Sequence, residues 1–82
     1  MAELHETRNR IVELIVAKLS IEPSRVTDEV TLDDLGADSL DMIELIMKIE
    51  DAFDIHIDDD YLQQLHSIKD LVLYVHNLRK DG

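Results

Sequence analysis

Leu35-Gly36-Ala37-Asp38-Ser39-Leu40-Asp41-Met42-Ile43-Glu44-Leu45-Ile46-Met47-Lys48-Ile49-Glu50-Asp51-Ala52-Phe53 is the stretch whose reading decides the fold. At roughly 100° per residue, Asp41, Glu44, Lys48 and Asp51 fall in one narrow polar stripe. Leu40, Met42, Ile43, Leu45, Ile46, Met47, Ile49 and Phe53 fill most of the remaining surface. The pattern predicts a helix over residues 39–53 that is buried on more than one side. Glu50 falls inside the apolar arc, so its carboxylate is expected either to turn out near the helix end or to bond a neighbouring element. Gly36 lets the backbone turn sharply before the helix, and Asp38 or Ser39 is its N-cap. A serine in this setting is ordinarily nothing more than a cap. A helix N-terminus also favours negative charge through its dipole and unpaired N–H groups, so a phosphodiester on Ser39 would be well placed.

Outward from this helix the chain stays helical. Leu4, Ile11, Leu14, Ile15 and Leu19 recur at three- and four-residue spacings and predict a first helix over about residues 3–19. It should stop near Ser20, because Pro23 biases Glu22 away from helical geometry. From Ser20 to Asp38 no helical period persists, although Val26, Val30, Leu32 and Leu35 can pin the loop to the bundle and a short helical turn fits within it. Ile55-His56-Ile57 alternates like a strand but has no partner strand, and reads as an extended connection. Asp58, Asp59 and Asp60 precede a short third helix near Tyr61–Leu65. Ser67-Ile68-Lys69-Asp70 opens a last helix with Ile68, Leu71, Val72, Val75 and Leu78 on one face. The expected fold is all-α: a small four-helix bundle of three main helices and one short helix, with a long loop between the first and second.

Eighty-two residues, read here as a single domain over 1–82, bury only roughly 60 to 65% of the surface of the unfolded chain. That leaves little room for an enclosed catalytic cavity. With no cysteine, disulfides and thiolate metal sites are excluded. No transmembrane run or signal-peptide pattern is written in the chain, so the expected location is cytoplasmic, with no membrane insertion. The net charge of −11 is concentrated: Asp28 to Asp60 holds thirteen acids against one base, Lys48, for −12, and the flanks sum to +1. Such a block repels nucleic acid and anionic membranes and steers basic protein surfaces toward it, though it also serves simply to keep a small protein dissolved.

A serine enzyme would need a base held by a third group, and none of His5, His56, His66 and His76 has a spacing that identifies it. Asp58 to Asp60 lack the alternation, central glycine and terminal glutamate of a calcium loop, so no metal site is expected.

The segment from Leu35 through Asp54 closely resembles the prosthetic-group attachment site of acyl carrier proteins, with its Asp-Ser-Leu core after Leu-Gly-x. The resemblance continues through Ile55-x-Ile57, the acid cluster and Ser67-Ile68-x-Asp70. It implies that Ser39 carries 4′-phosphopantetheine, taken from coenzyme A, with Asp38 and Leu40 as its motif neighbours and acyl groups held as thioesters on the arm. It implies that Asp41, Glu44, Met47, Glu50 and Asp51 meet basic patches on a phosphopantetheinyl transferase, acyltransferases, ketosynthases, reductases and dehydratases. It also implies an acyl cleft between the second and third helices, with Ile43, Met47, Ile57, Leu62, Leu65 and Ile68 as candidate lining. Singly, each of these six reads more readily as core. The chain departs from the family in carrying Asp58 where proline often follows Ile-x-Ile, and in its bulky Met42 and Ile43. The function so implied is a monomeric, non-catalytic carrier delivering acyl groups to fatty acid synthesis enzymes. A specialised carrier for polyketide or modified-lipid synthesis, and an acidic interaction module without the arm, remain open at this point.

Overall fold

The computed structural model describes residues 3–62, 64 and 66–79. Four helices follow one another: α1 (Leu4–Leu19), α2 (Ser39–Phe53), the single turn α3 (Asp59–Leu62) and α4 (Ile68–Arg79), with a 3₁₀ turn at Pro23–Arg25 between α1 and α2. Among the described residues the β structure is one isolated bridge, Thr31 to Ser67. The all-α architecture read from the sequence is the one observed.

One hydrophobic cluster holds the helices. α1 contributes Ile11 and Ile15, α2 Leu45, Ile46 and Ile49, the α2–α3 connection Ile57, and α4 Ile68, Leu71, Val72 and Val75. Each such side chain stabilises the fold by about 1.5–3 kcal/mol relative to exposure. α1 is the hub, packing against both α2 and α4. Its buried row begins with Thr7 one turn before Ile11, so Leu4, expected in the core, is left 45% exposed at the helix start. Leu78, expected on the buried face of α4, is likewise 38% exposed.

Thr7 is the buried polar residue that the apolar pattern does not reveal. Its hydroxyl accepts a hydrogen bond from Arg79 Nη1 at 3.0 Å and lies 3.0 Å from His76 Nδ1. The Arg79 guanidinium also sits 4.6 Å above the Phe53 ring, so α1, α2 and α4 are joined at this end by polar and cation–π contacts.

The loop from Ser20 to Asp38 is ordered by its own bonds. Ser20 leaves α1 in the left-handed region, φ 54°, with its N–H on Val16 O. Val26 and Leu35 are buried, as the apolar anchors predict, and Val30 and Leu32 are half-buried. The carbonyls of Val30 and Asp28 accept from the Ile68 and Lys69 N–H groups at 2.8 and 3.0 Å. These are donors of the first turn of α4 that have no partner inside the helix. Ser67 Oγ accepts from Asp70 N–H at 3.2 Å, the cap expected there.

Candidate functional site

The chain is aimed at the α2 N-terminus by a tight turn. Thr31 and Asp34 exchange side-chain to backbone bonds at 3.1 Å each way. The Ala37 N–H reaches back to Leu32 O at 3.1 Å and the Gly36 N–H to Asp33 O at 3.0 Å. This pairing closes the turn through a left-handed residue, and Gly36 supplies it at φ +91°. Leu35 and Ala37 are buried on either side of the glycine and fix the backbone just before the helix.

Of the two possible caps, the structure selects Asp38. Its side chain accepts from Asp41 N–H at 2.8 Å, and the Asp41 carboxylate accepts from Asp38 N–H at 3.3 Å, a reciprocal capping box. Ser39 is therefore the first residue of α2, relieved of the capping role and exposed to solvent. Among the described residues nothing hydrogen-bonds its hydroxyl, and the N–H groups of Ser39 and Leu40 have no partner. The α2 tip thus presents a free nucleophilic oxygen beside free donors and a positive dipole end, an arrangement that suits a phosphate ester.

α2 is buried on one side, not on several. Leu45, Ile46 and Ile49 enter the core, while Leu40, Ile43 and Met47 are 64, 52 and 60% exposed. Within the described residues the packing of α2 is on α1, which takes one face of the helix and leaves the other open. The outer face of α2 accordingly has an apolar half, Leu40, Ile43 and Met47, beside a charged half with Glu44, Lys48 and Asp51 exposed and Asp41 half-buried.

Of the six cleft candidates, the four that the structure describes divide between core and surface. Ile57 and Ile68 are core residues at 1 and 0% exposure, whereas Ile43 and Met47 stand on the solvent side of α2. The side chain of Leu62 and the whole of Leu65 lie outside the described residues.

Glu50, expected on the recognition surface, turns instead to the α2–α3 connection. Its carboxylate accepts the Ile57 N–H at 2.8 Å, with His56 Nδ1 at 3.5 Å. Its apolar-arc position is explained by this second option: it bonds a neighbouring element and seats Ile57.

Lys18, which the sequence did not single out, reaches from the last turn of α1 to the Glu44 carboxylate. Its amine is held above the usual lysine range, chiefly by the hydrogen bond to Glu44, against desolvation and with help from the charges of Glu44, Asp41 and Asp38. The charge count could not find this contact, because α1 lies outside the acidic block in sequence and meets it only through packing.

Comparison with known proteins agrees with this geometry. A family model described as a phosphopantetheine attachment site matches residues 9–75. The acyl carrier protein of Zymomonas mobilis is 42% identical over 73 residues, covering 88% of this chain and 94% of that protein. The acyl carrier protein of Campylobacter hominis is 43% identical over 77 residues, 93% of this chain and 98% of that one. The crystal structure of the acyl carrier protein of Thermotoga maritima superposes with a TM-score of 0.77 at 31% identity, covering 94% of this chain and 95% of that one.

Proposed function

Since the chain belongs to the acyl carrier protein family, a non-catalytic carrier of fatty acid synthesis with a covalently attached 4′-phosphopantetheine, we propose that Ser39 is the attachment point and that 1–82 acts as one carrier unit. The observation that carries this is the exposed Ser39 hydroxyl, free of hydrogen bonds among the described residues at a helix tip whose cap is already supplied by Asp38. When bound, the arm supplies the thiol on which acyl groups are carried.

The residues around Ser39 divide the work. Asp38 and Asp41 hold the helix end rigid through their reciprocal bonds. The Ser39 and Leu40 N–H groups, unpaired among the described residues, are donors that would hold the phosphodiester. No described side chain hydrogen-bonds the hydroxyl, so the base that takes its proton during attachment belongs to the modifying enzyme.

Docking is assigned to the outer face of α2. The acids give long-range attraction to basic patches and are screened by salt, which favours fast arrival and ready release. Leu40, Ile43 and Met47 add the short-range apolar contact. The chain works with the enzymes of fatty acid synthesis. We assign the docking face to a phosphopantetheinyl transferase, acyltransferases, ketosynthases, reductases and dehydratases, and place the monomer beside them in the cytoplasm. Among the described residues no helix is long and apolar enough to cross a membrane.

Incubation of the apo protein with coenzyme A and a phosphopantetheinyl transferase should add the mass of one arm. Ser39→Ala should take up none while keeping its helicity and unfolding midpoint. Uptake of the arm by Ser39→Ala, or none by the wild type with any competent transferase, would remove Ser39 from this role.

A further inference from the structure

The acids of α2 are not equally available. The sequence gives the block from Asp28 to Asp60 a single base, Lys48, yet the antiparallel packing of α1 on α2 delivers a second. Lys18 is drawn in until its side chain is 20% exposed, and its amine donates to a Glu44 carboxylate whose side chain is 46% exposed. Among the described residues this is the one place where an α2 carboxylate is paired with a lysine or arginine. Asp51, seven residues and about two turns along the same outer stripe, is exposed and has no such pair among them.

We propose that Lys18 is a specificity-determining residue of the docking face: by occupying Glu44 it withholds that carboxylate from basic partners, which must displace or share it, while Asp51 is received directly. The proposal rests on α2 being the docking face.

The physics of the pair supports a masking role over a purely structural one. Asp38 and Asp41 add their fields to that of Glu44 at the amine, so Lys18 remains a cation throughout the working range of the protein. A partly exposed ion pair contributes little to stability, but a fixed cation a few ångströms from a docking carboxylate cancels most of its field at the distance where a partner is first attracted. It also sits toward the Ser39 end of α2, so its influence is greatest for partners that must reach that serine. A fork-shaped arginine can share a carboxylate already bonded to a lysine, whereas a partner lysine competes for the same oxygen. Lys18 thus lowers attraction overall and does so unequally among partners.

The test is the kcat/KM for arm transfer from coenzyme A to the apo protein by a phosphopantetheinyl transferase, compared among wild type, Lys18→Met, Glu44→Gln, the double variant and Asp51→Asn. At low salt Lys18→Met should raise kcat/KM by roughly threefold or more, through KM with kcat unchanged, and the gain should vanish in high salt. Glu44→Gln should cost less than about twofold in the wild type but should abolish the gain in the Lys18→Met background. Lys18→Gln repeats the measurement with a polar replacement, and the unfolding midpoint of every variant separates masking from loss of fold. An unchanged or lowered kcat/KM in both folded Lys18 variants, or an equal Glu44→Gln cost in both backgrounds, would overturn the proposal. If Asp51→Asn also has no effect on KM, the docking assignment fails first; if Asp51→Asn raises KM while Lys18 is silent, only the masking role fails.

Discussion

Thr7 and Ser39 stand at opposite ends of the bundle, and their hydroxyls are treated in opposite ways. The Thr7 oxygen is fully buried and sits between Arg79, His76 and the Glu3 carbonyl, so that α1 and α4 are sewn together where Arg79 also covers Phe53. The Ser39 oxygen is exposed and has no hydrogen bond among the described residues, because Asp38 has taken the capping duty beside it. One hydroxyl is consumed in holding the fold and the other is kept out of it. The difference shows how a domain this small supports a reactive position: one hydroxyl is tied into a buried network at the far end, while at the near end a neighbouring residue supplies the cap and leaves the other free.

The sharpest way to break this contrast is to remove the buried oxygen. Thr7→Val keeps the shape but leaves Arg79 and His76 without their shared partner, and should cost about 1–3 kcal/mol of stability. Urea unfolding should record the loss, while arm attachment to the folded variant stays at the wild-type rate. A Thr7→Val variant as stable as the wild type would mean that the Arg79 contact with Phe53 alone holds that end.

The cap separates the two roles at the other end. Asp38→Ala should lower stability by about 1 kcal/mol, and Asp38→Asn, which retains an acceptor for the Asp41 N–H, should recover most of that. In Asp38→Ala the Ser39 hydroxyl is drawn toward the vacated cap, so attachment should slow beyond what the stability loss explains. Equal attachment rates in Asp38→Ala and Asp38→Asn would show that the freedom of Ser39 does not depend on its neighbour.

Most of the fold was legible because it rests on local periodicity. The bounds of α2, the end of α1 at Ser20 and the start of α4 after Ser67 all follow from apolar spacing and cap residues. Ser39 was legible because motif and helix start coincide at one residue. What escaped depends on contacts distant in sequence. Thr7 belongs to the row Thr7, Ile11, Ile15, but a threonine carries no apolar signal, and its partners His76 and Arg79 lie at the other end of the chain. The exposed apolar flank of α2 escaped for a related reason: apolar spacing reports what a helix can bury, and whether it does so depends on what packs against it. Lys18 was invisible in its role, and Glu50 was legible only as a choice between solvent and a neighbouring element, because a charge pattern records signs along the chain, not which side chains packing brings together.

A third hydroxyl sharpens the comparison further. Tyr61 lies between His66 and Tyr74, with ring centroids 3.7 and 3.8 Å away, and its oxygen is buried with no hydrogen-bond partner among the described residues. It is neither satisfied like Thr7 nor exposed like Ser39. Burial, with the Asp70 charge and Tyr74 adding to it, pushes its phenol up to about 12 from 10.0. Below pH 10 both folded and unfolded chains keep this proton and the group contributes no pH dependence. Between pH 10 and about 12 the unfolded chain releases the proton while the folded one retains it, so stability falls as pH rises across that window. Tyr61→Phe keeps the ring stack and removes the titration. It should therefore leave neutral-pH stability unchanged or slightly higher, since an unsatisfied oxygen is deleted, and should flatten this part of the alkaline decline in a series of urea titrations. Identical alkaline slopes for wild type and Tyr61→Phe would show that the Tyr61 oxygen finds water or a partner in the folded protein, and would place it with Ser39 among the hydroxyls the fold leaves open.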